Sequence, residues 1–252
     1  MSSIGTGYDL STSTYSPDGK LFQLDYASKA VDASGTTIGI RCSDGVVIAT
    51  EKLVHSKLLR KGSNKRLASV DLHVGIGCSG LTADARHIVK RAREEAKNYR
   101  DTYKTAVPGK IIANRIAQYV QAHTLYSSVR PFGLGIIVAV LDPIENAPGL
   151  FMIEPSGLYY GYRGCATGKG KQVAKTELEK LKLDQLTCRE AIQEAARIIH
   201  TVHDDAKDKD FELEMSWVCT ESKGRHEIVP QAIAAEAERL AKASLSEEMD
   251  ED

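Results

Sequence analysis

The spacing of apolar and polar positions changes several times along the chain, and each change marks an element. Lys20 to Val31 carries Leu21, Leu24 and Ala27 along one stripe with Tyr26 beside it, the spacing of a short helix. Ser16-Pro17-Asp18-Gly19 ahead of it reads as a turn, with proline fixing φ and glycine free to take a positive one. Thr36 to Cys42 and Val46 to Thr50 read as strands joined by the hairpin turn Ser43-Asp44-Gly45. Arg66 to Val70 and His73 to Cys78 read as a second pair. The period then lengthens. Leu81 to about Tyr103 places Ala85, Ile88, Ala92, Ala96 and Tyr99 on one helical face, and about Lys110 to Ser127 does the same with Ile112, Ile116, Val120 and His123.

The second half repeats that order. Gly133 to Leu141 is apolar and strand-like, and Gly149 to Glu154 pairs with Leu158 to Tyr162 around Pro155-Ser156-Gly157. A helix follows over about Lys171 to Leu181, and another opens with the capping box Thr187-Cys188-Arg189-Glu190. Phe211, Leu213, Met215, Trp217 and Cys219 alternate with mostly polar residues, as in a half-buried strand. His226 to Val229 is a last strand, and Pro230 opens a final helix ending near Leu245. Strands, two helices, strands, two helices, strands and a helix do not alternate as βαβ units do. The order predicts antiparallel sheets with grouped helices, an α+β fold. No internal boundary is visible. The reading is one domain over residues 1–245, with an N-terminal arm over 1–19 and a helix over 20–31, then an acidic tail, 246–252, expected to be disordered.

Composition narrows the function classes. At 252 residues and 42% hydrophobic content the chain can bury a substantial core. A net charge of −1 argues against nucleic-acid and anionic-membrane partners. No apolar run is long enough to span a bilayer, and the polar N-terminus does not read as a secretion signal. Five cysteines, dispersed and without paired spacing, fit reduced thiols in an intracellular protein.

Isolated motifs carry little chemistry. Gly164-Cys165-Ala166-Thr167-Gly168-Lys169 has one residue too few for a phosphate loop, and Gly170 stands where a hydroxyl should hold magnesium, so it reads as a strand-to-helix turn. His200 and His203 lie three apart without further ligands, so a solvated helix edge is expected rather than a metal site. The basic run Lys57 to Arg66 reads as a solvated loop, with a nuclear-import signal as a weaker alternative. The N-terminal arm is turn-rich, yet this stretch holds Tyr8, Tyr15 and Phe22, unusual for a frayed end.

One resemblance joins these pieces. Tyr8-Asp9, Ser16-Pro17-Asp18-Gly19 and Gln23-Leu24-Asp25-Tyr26-Ala27 resemble the N-terminal signature of proteasome alpha subunits. It continues through Ser63-Asn64-Lys65-Arg66, Arg130-Pro131-Phe132-Gly133 and Gly224-Arg225-His226-Glu227-Ile228-Val229-Pro230, across almost the whole chain. Tyr8-Asp9-Leu10-Ser11, Phe211-Glu212-Leu213-Glu214 and the acidic end are most similar to the eukaryotic type at the seventh ring position. The resemblance implies the four-layer αββα sandwich of N-terminal-nucleophile hydrolases. It also implies a noncatalytic scaffold and gate subunit of the outer ring of the 20S core particle, without a cofactor, in cytoplasm and nucleus. The implied partners are other alpha subunits in a seven-membered ring, inner-ring beta subunits, and activators at the ring surface.

The same resemblance frames the chemistry. Ser34-Gly35-Thr36-Thr37 is similar to the processing site of catalytic beta subunits, where cleavage after glycine frees a threonine whose own amine is the base. Aligned on Asp44-Gly45, however, Gly35 takes the nucleophile position, Glu51 that of the acid and Arg66 that of the lysine. A guanidinium does not deprotonate to relay protons. No catalytic residue is therefore assigned, and a threonine hydrolase using Thr36, or a free-standing binding module, is the alternative. The family implies a gate cluster of Tyr8, Asp9, Pro17 and Tyr26, with Leu10 where an arginine is usual. It also implies a basic pocket for activator C-termini at Lys65 or Arg66, with the choice between them open. Ser244 and Ser246, with acidic residues following, fit an acid-directed kinase, and a plain solubilising tail fits equally.

Overall fold

The computed structural model describes residues 7–203 and 210–251, with side chains as far as Leu245. Helix α1 (Phe22–Asp32) precedes strands β1 (Thr37–Arg41), β2 (Gly45–Leu53), β3 (Leu67–Asp71) and β4 (Val74–Gly80). Helices α2 (Thr82–Tyr103) and α3 (Gly109–Ala122) follow, then β5 (Leu134–Leu141), β6 (Pro148–Ile153), β7 (Tyr159–Gly161) and β8 (Gly164–Thr167). Helix α4 (Lys171–Glu179), a 3-10 turn at Leu183–Gln185, α5 (Cys188–Val202), β9 (Phe211–Cys219), β10 (His226–Ile228) and α6 (Gln231–Glu251) complete the chain.

The strands form two five-stranded antiparallel sheets, ordered β10-β9-β2-β1-β8 and β3-β4-β5-β6-β7. Strand alternation assigns each side chain to a layer. On β5, Ile136, Val138 and Val140 pack under α2 and α3 with Ile88, Ile112 and Ile116. Ile137 and Ala139, one residue out of phase, face the other sheet and meet Val46, Ile48 and Val218. On β2, Val47 and Ala49 turn outward to meet Ile192, Ala195 and Ile199 of α5, with Trp217 of β9 alongside. Helix, sheet, sheet and helix are therefore stacked, the four-layer sandwich that the family resemblance implied. Trp217 also donates its indole hydrogen to Glu227 Oε1 at 3.2 Å, so its polar atom is satisfied.

Local chemistry sets several ends. Thr187 and Glu190 close a reciprocal capping box at the start of α5. Helix α3 stops at Ala122, short of the expected Ser127, because the following amides turn back in tighter i−3 bonds and Thr124 Oγ1 donates to the Gln121 carbonyl at 2.7 Å. Within Gly164–Lys169, expected as a strand-to-helix turn, Gly164 to Thr167 form the edge strand β8, held by antiparallel pairing to β1, and the turn into α4 follows at Gly168 to Gly170. Helix α6 runs on to Glu251, through most of the tail expected to be disordered. Ser246 to Glu251 contains no proline or glycine to break it. No helix among the described residues is long and apolar enough to cross a membrane.

His226 ties the two sheets together. It lies on β10, yet its Nδ1 sits 2.7 Å from Ser69 Oγ on β3 of the other sheet. Burial pulls its imidazole down from 6.5 to about 4. The unfolded chain therefore takes up a proton near pH 6.5 that the folded chain refuses until about pH 4. Stability is constant above that window and falls through it as the pH drops, by about 3 kcal/mol in all. Denaturant titrations at pH 7 and pH 4.5 should show this loss, and His226→Gln should flatten it.

Candidate functional site: a closed nucleophile position, a docked arm and an adjoining cavity

The segment between α1 and β1 carries the position that would need a nucleophile. A Cβ on Gly35 would lie 2.2 Å from the Glu51 carbonyl oxygen, so no side chain fits there. The Gly35 carbonyl accepts a hydrogen bond from Ser79 Oγ at 2.9 Å. Thr36, next along, is fully buried. Its backbone N–H donates to Glu51 Oε2 at 2.9 Å, and its Oγ1 accepts from the Gly170 N–H at 3.0 Å. Thr36 therefore has neither a free amine nor a hydroxyl facing solvent. This geometry excludes the Thr36 alternative for the chain as it stands.

Glu51 completes the closure. Its second oxygen lies 2.6 Å from His203 Nδ1, with both side chains almost wholly buried. The His203 ring stands 4.3 Å from that of Phe211, and the His200 ring 4.9 Å. The solvated helix edge expected for His200 and His203 is thus corrected: the face of α5 that carries them turns inward against β2 and β9. The sequence offered no sign of this, because the partner of His203 lies 152 positions away. No group of three or more metal-ligating side chains occurs among the described residues.

Arg66, at the position aligned with the beta lysine, does come close to Gly35. Both line a cavity of about 380 Å³, together with Ala30 and Ser34 near the end of α1 and Gly80 and Leu81 at the β4–α2 corner. The Arg66 guanidinium donates to the Gly80 carbonyl at 2.6 Å. Burial draws its pKa below the ordinary value, while Glu214 opposes the shift. Lys65 is exposed and faces a different cleft, against α2.

The arm is docked rather than frayed. Gly19 takes φ +73° in the Ser16–Gly19 turn, and its N–H donates to the Ser16 carbonyl at 2.9 Å. Pro17 is exposed at the turn's second position. Tyr26 Oη donates to Asp9 Oδ2 at 3.2 Å, and Gln23 Nε2 donates to the Asp9 carbonyl. Thr12, buried, donates through Oγ1 to the Val129 carbonyl at 3.1 Å. Beside Val129, Arg130 grips Asp84 with two bonds of 2.8 Å, and the Gly133 N–H adds a third to the same carboxylate at 3.1 Å. Burial raises the Asp84 carboxyl, but Arg130 and the Gly133 amide outweigh it and hold it below the usual range. Of the four gate positions, Asp9 and Tyr26 are in contact. Tyr8 is exposed, and Pro17 shapes the turn. Met1 to Thr6 lie outside the described residues.

The tail serines differ. Ser244 Oγ is buried and has no hydrogen-bond partner among the described residues. The side chain of Ser246 lies outside the described residues.

A two-sheet sandwich between helical layers, with its nucleophile position filled by glycine and closed by backbone, defines a noncatalytic member of the N-terminal-nucleophile hydrolase fold class. Similarity to known proteins makes this specific. A family model for "Proteasome subunit" matches residues 31–218, and a second, for the N-terminal signature of A-type proteasome subunits, matches residues 8–30. The chain is 57% identical over 252 residues to "Proteasome subunit alpha type-3" of Spinacia oleracea, covering 100% of both chains. It is 56% identical over 247 residues to the protein of that name in Dictyostelium discoideum, covering 98% of this chain and 99% of the relative. To "Probable proteasome subunit alpha type-7" of Saccharomyces cerevisiae it is 52% identical over 250 residues, covering 98% and 86%. The chain belongs to the proteasome subunit family and is of its noncatalytic alpha type.

Because Gly35 packs directly on the Glu51 carbonyl, Gly35→Ala should lower stability by roughly 1–3 kcal/mol through overpacking. Thermal denaturation beside Ser34→Ala as a neighbouring control checks this, and an unchanged midpoint would show that the contact is not tight.

Proposed function

We propose that this chain scaffolds the seven-membered outer alpha ring of the 20S proteasome, docks on the inner beta ring and helps close the axial pore. It supports ubiquitin-dependent and ubiquitin-independent degradation by the assembled particle, in cytoplasm and nucleus. Five buried free cysteines fit such a reducing compartment. The observation that carries the gating role is the arm. It is anchored to its own domain at Asp9 and Thr12, yet it presents Tyr8, Tyr15 and Leu10, the last 90% exposed, to whatever lies beyond. Neighbouring arms supply the surface these side chains lack.

Leu10 stands where the family usually has arginine, so this arm adds apolar contact to the barrier rather than a salt bridge. Each polar contact of the kind seen at Asp9 is worth about 0.5–1.5 kcal/mol net. A barrier built from such contacts opens on modest binding energy. Deleting Ser2 to Ser11 should raise basal peptide hydrolysis by the assembled particle while leaving its cleavage preferences alone. An unchanged basal rate in a correctly assembled particle would remove the arm from the barrier.

The activator pocket is the cavity beside Gly35, and Arg66 rather than Lys65 is its cation. Its guanidinium is partly desolvated, where a carboxylate gains most from a charge-assisted bond. A peptide ending in a free carboxylate should bind the particle roughly tenfold more weakly after Arg66→Ala. It should bind normally after Lys65→Ala. Fluorescence anisotropy with the free acid and its amide reads the difference, and the reverse order would move the pocket to Lys65.

A further inference from the structure

The loop that joins β2 to β3, residues 54–66, belongs to neither sheet, and Arg60, Lys61, Gly62, Ser63 and Lys65 are all exposed on it. Gly62, at φ +73°, completes a tight turn in which the Ser63 N–H donates to the Arg60 carbonyl at 3.0 Å. No hydrogen bond engages the Ser63 hydroxyl among the described residues. Arg60 stands three residues ahead of that serine and Lys61 two ahead. Serine kinases select substrates by charge pattern, and two cations in those places suit a kinase with an acidic substrate groove. An exposed, irregular segment can be laid into such a groove, whereas a serine inside a helix or a paired strand is held out of it.

The charge around Ser63 decides what a phosphate would do there. Arg60, Lys61, Lys65 and Arg66 are four cations close together in sequence, and no salt bridge engages any of them among the described residues. The Arg66 guanidinium donates to a neutral partner, the Gly80 carbonyl, at 2.6 Å. Two carboxylates lie near. Glu212 accepts the Gly62 N–H at 3.4 Å but is paired with Lys52 Nζ at 3.0 Å, and Glu214 accepts the Arg66 N–H at 3.0 Å. They offset part of the basic charge and leave a positive excess about the serine. A phosphate brings about −1.5 to −2 charge at pH 7 and three acceptor oxygens into that excess. Ser63 and Arg66 line the same cleft against α2, and Arg66 also lines the cavity beside Gly35. A charge-assisted bond to phosphate is about twice as strong as one to a neutral carbonyl. The modified serine therefore draws the guanidinium into the cleft, away from Gly80 and the cavity.

We propose that Ser63 is the substrate of an arginine-directed serine kinase, and that its phosphate competes with activator carboxylates for Arg66. The proposal rests on the reading of Arg66 as the cation of the tail pocket. In the transfer, Ser63 Oγ bonds to the γ-phosphorus of ATP as that phosphorus parts from the oxygen bridging it to the β-phosphate. ADP leaves, and the hydroxyl proton passes to a carboxylate of the kinase. Phosphorylation then lowers the hold of this pocket on an activator tail, and a phosphatase restores it by hydrolysis.

The test uses the intact particle, purified with the wild-type chain or with Ser63→Ala, Arg60→Ala or Arg66→Ala. Each is incubated with an arginine-directed serine kinase and magnesium ATP, and phosphopeptides are mapped by mass spectrometry. Phosphate is expected on Ser63 of the wild type, and Arg60→Ala should slow its appearance about tenfold. No phosphate on Ser63, or an equal rate after Arg60→Ala, overturns the proposal. Fluorescence anisotropy then reads the binding of a peptide ending in a free carboxylate. The phosphorylated wild type should bind it roughly tenfold more weakly than the untreated particle. Kinase treatment should cause no loss in Ser63→Ala and no further loss in Arg66→Ala. Unchanged binding after phosphorylation, or the same loss in either variant, overturns the proposal. If the untreated particle binds the peptide equally with and without Arg66, the pocket reading and this proposal fail together. If binding needs Arg66 and phosphate leaves it unchanged, this proposal fails alone.

Discussion

Two sheets meeting face to face, each buried on both sides, set the terms for everything else in this molecule. The middle strands have no solvent face to give away. Ile136, Val138 and Val140 of β5 point to one helical layer while Ile137 and Ala139 point to the opposing sheet. Each large apolar side chain buried this way contributes about 1.5–3 kcal/mol, so the outer faces must be roofed by helices. Polar groups caught between the sheets must then bond one another. Thr37 Oγ1 and Thr50 Oγ1 sit 2.8 Å apart, and Ser79 Oγ reaches both Thr37 Oγ1 and the Gly35 carbonyl at 2.9 Å.

Those bonds close what would be a reaction centre in a catalytic relative. An N-terminal threonine acts as a nucleophile through its own free amine and needs room to turn its hydroxyl toward a substrate. Here the amine is an ordinary peptide nitrogen pinned to Glu51, the preceding residue has no space for a side chain, and the Glu51 carboxylate is shared with His203. The acid survives as a structural bracket between β2 and the end of α5. Arg66 likewise sits beside Gly35, where its guanidinium cannot relay a proton.

A second bracket directs the arm. Asp84, in the first turn of α2, gathers Arg130 and the Gly133 amide, and this fixes the loop whose Val129 carbonyl holds Thr12. The Arg130-Pro131-Phe132-Gly133 motif is thus a mount for the arm and for the β4–α2 corner, where the Leu81 N–H meets the Gly133 carbonyl at 3.0 Å. The arm and the cavity beside Gly35 share that corner.

Features specified within a few residues of one another were legible along the chain. The α5 capping box, the Ser16–Gly19 turn, the alternation along β9 and the helical stripes of α2 and α3 are all of this kind. The misfit at Gly35 was legible through the family resemblance, which sets a glycine, with no side chain to react, at the nucleophile position. Features that depend on partners distant in sequence emerge only once the chain is folded. β8 is a strand because β1 stands beside it. His203 is buried because the Glu51 carboxylate waits on β2. Arg66 lines the cavity beside Gly35 as well as the cleft against α2, whereas Lys65 lines only the cleft. Lys65, Arg86 and Lys90 come to line one cleft only when α2 folds over β3. Periodicity reports which face of an element is apolar, but not which element will cover it.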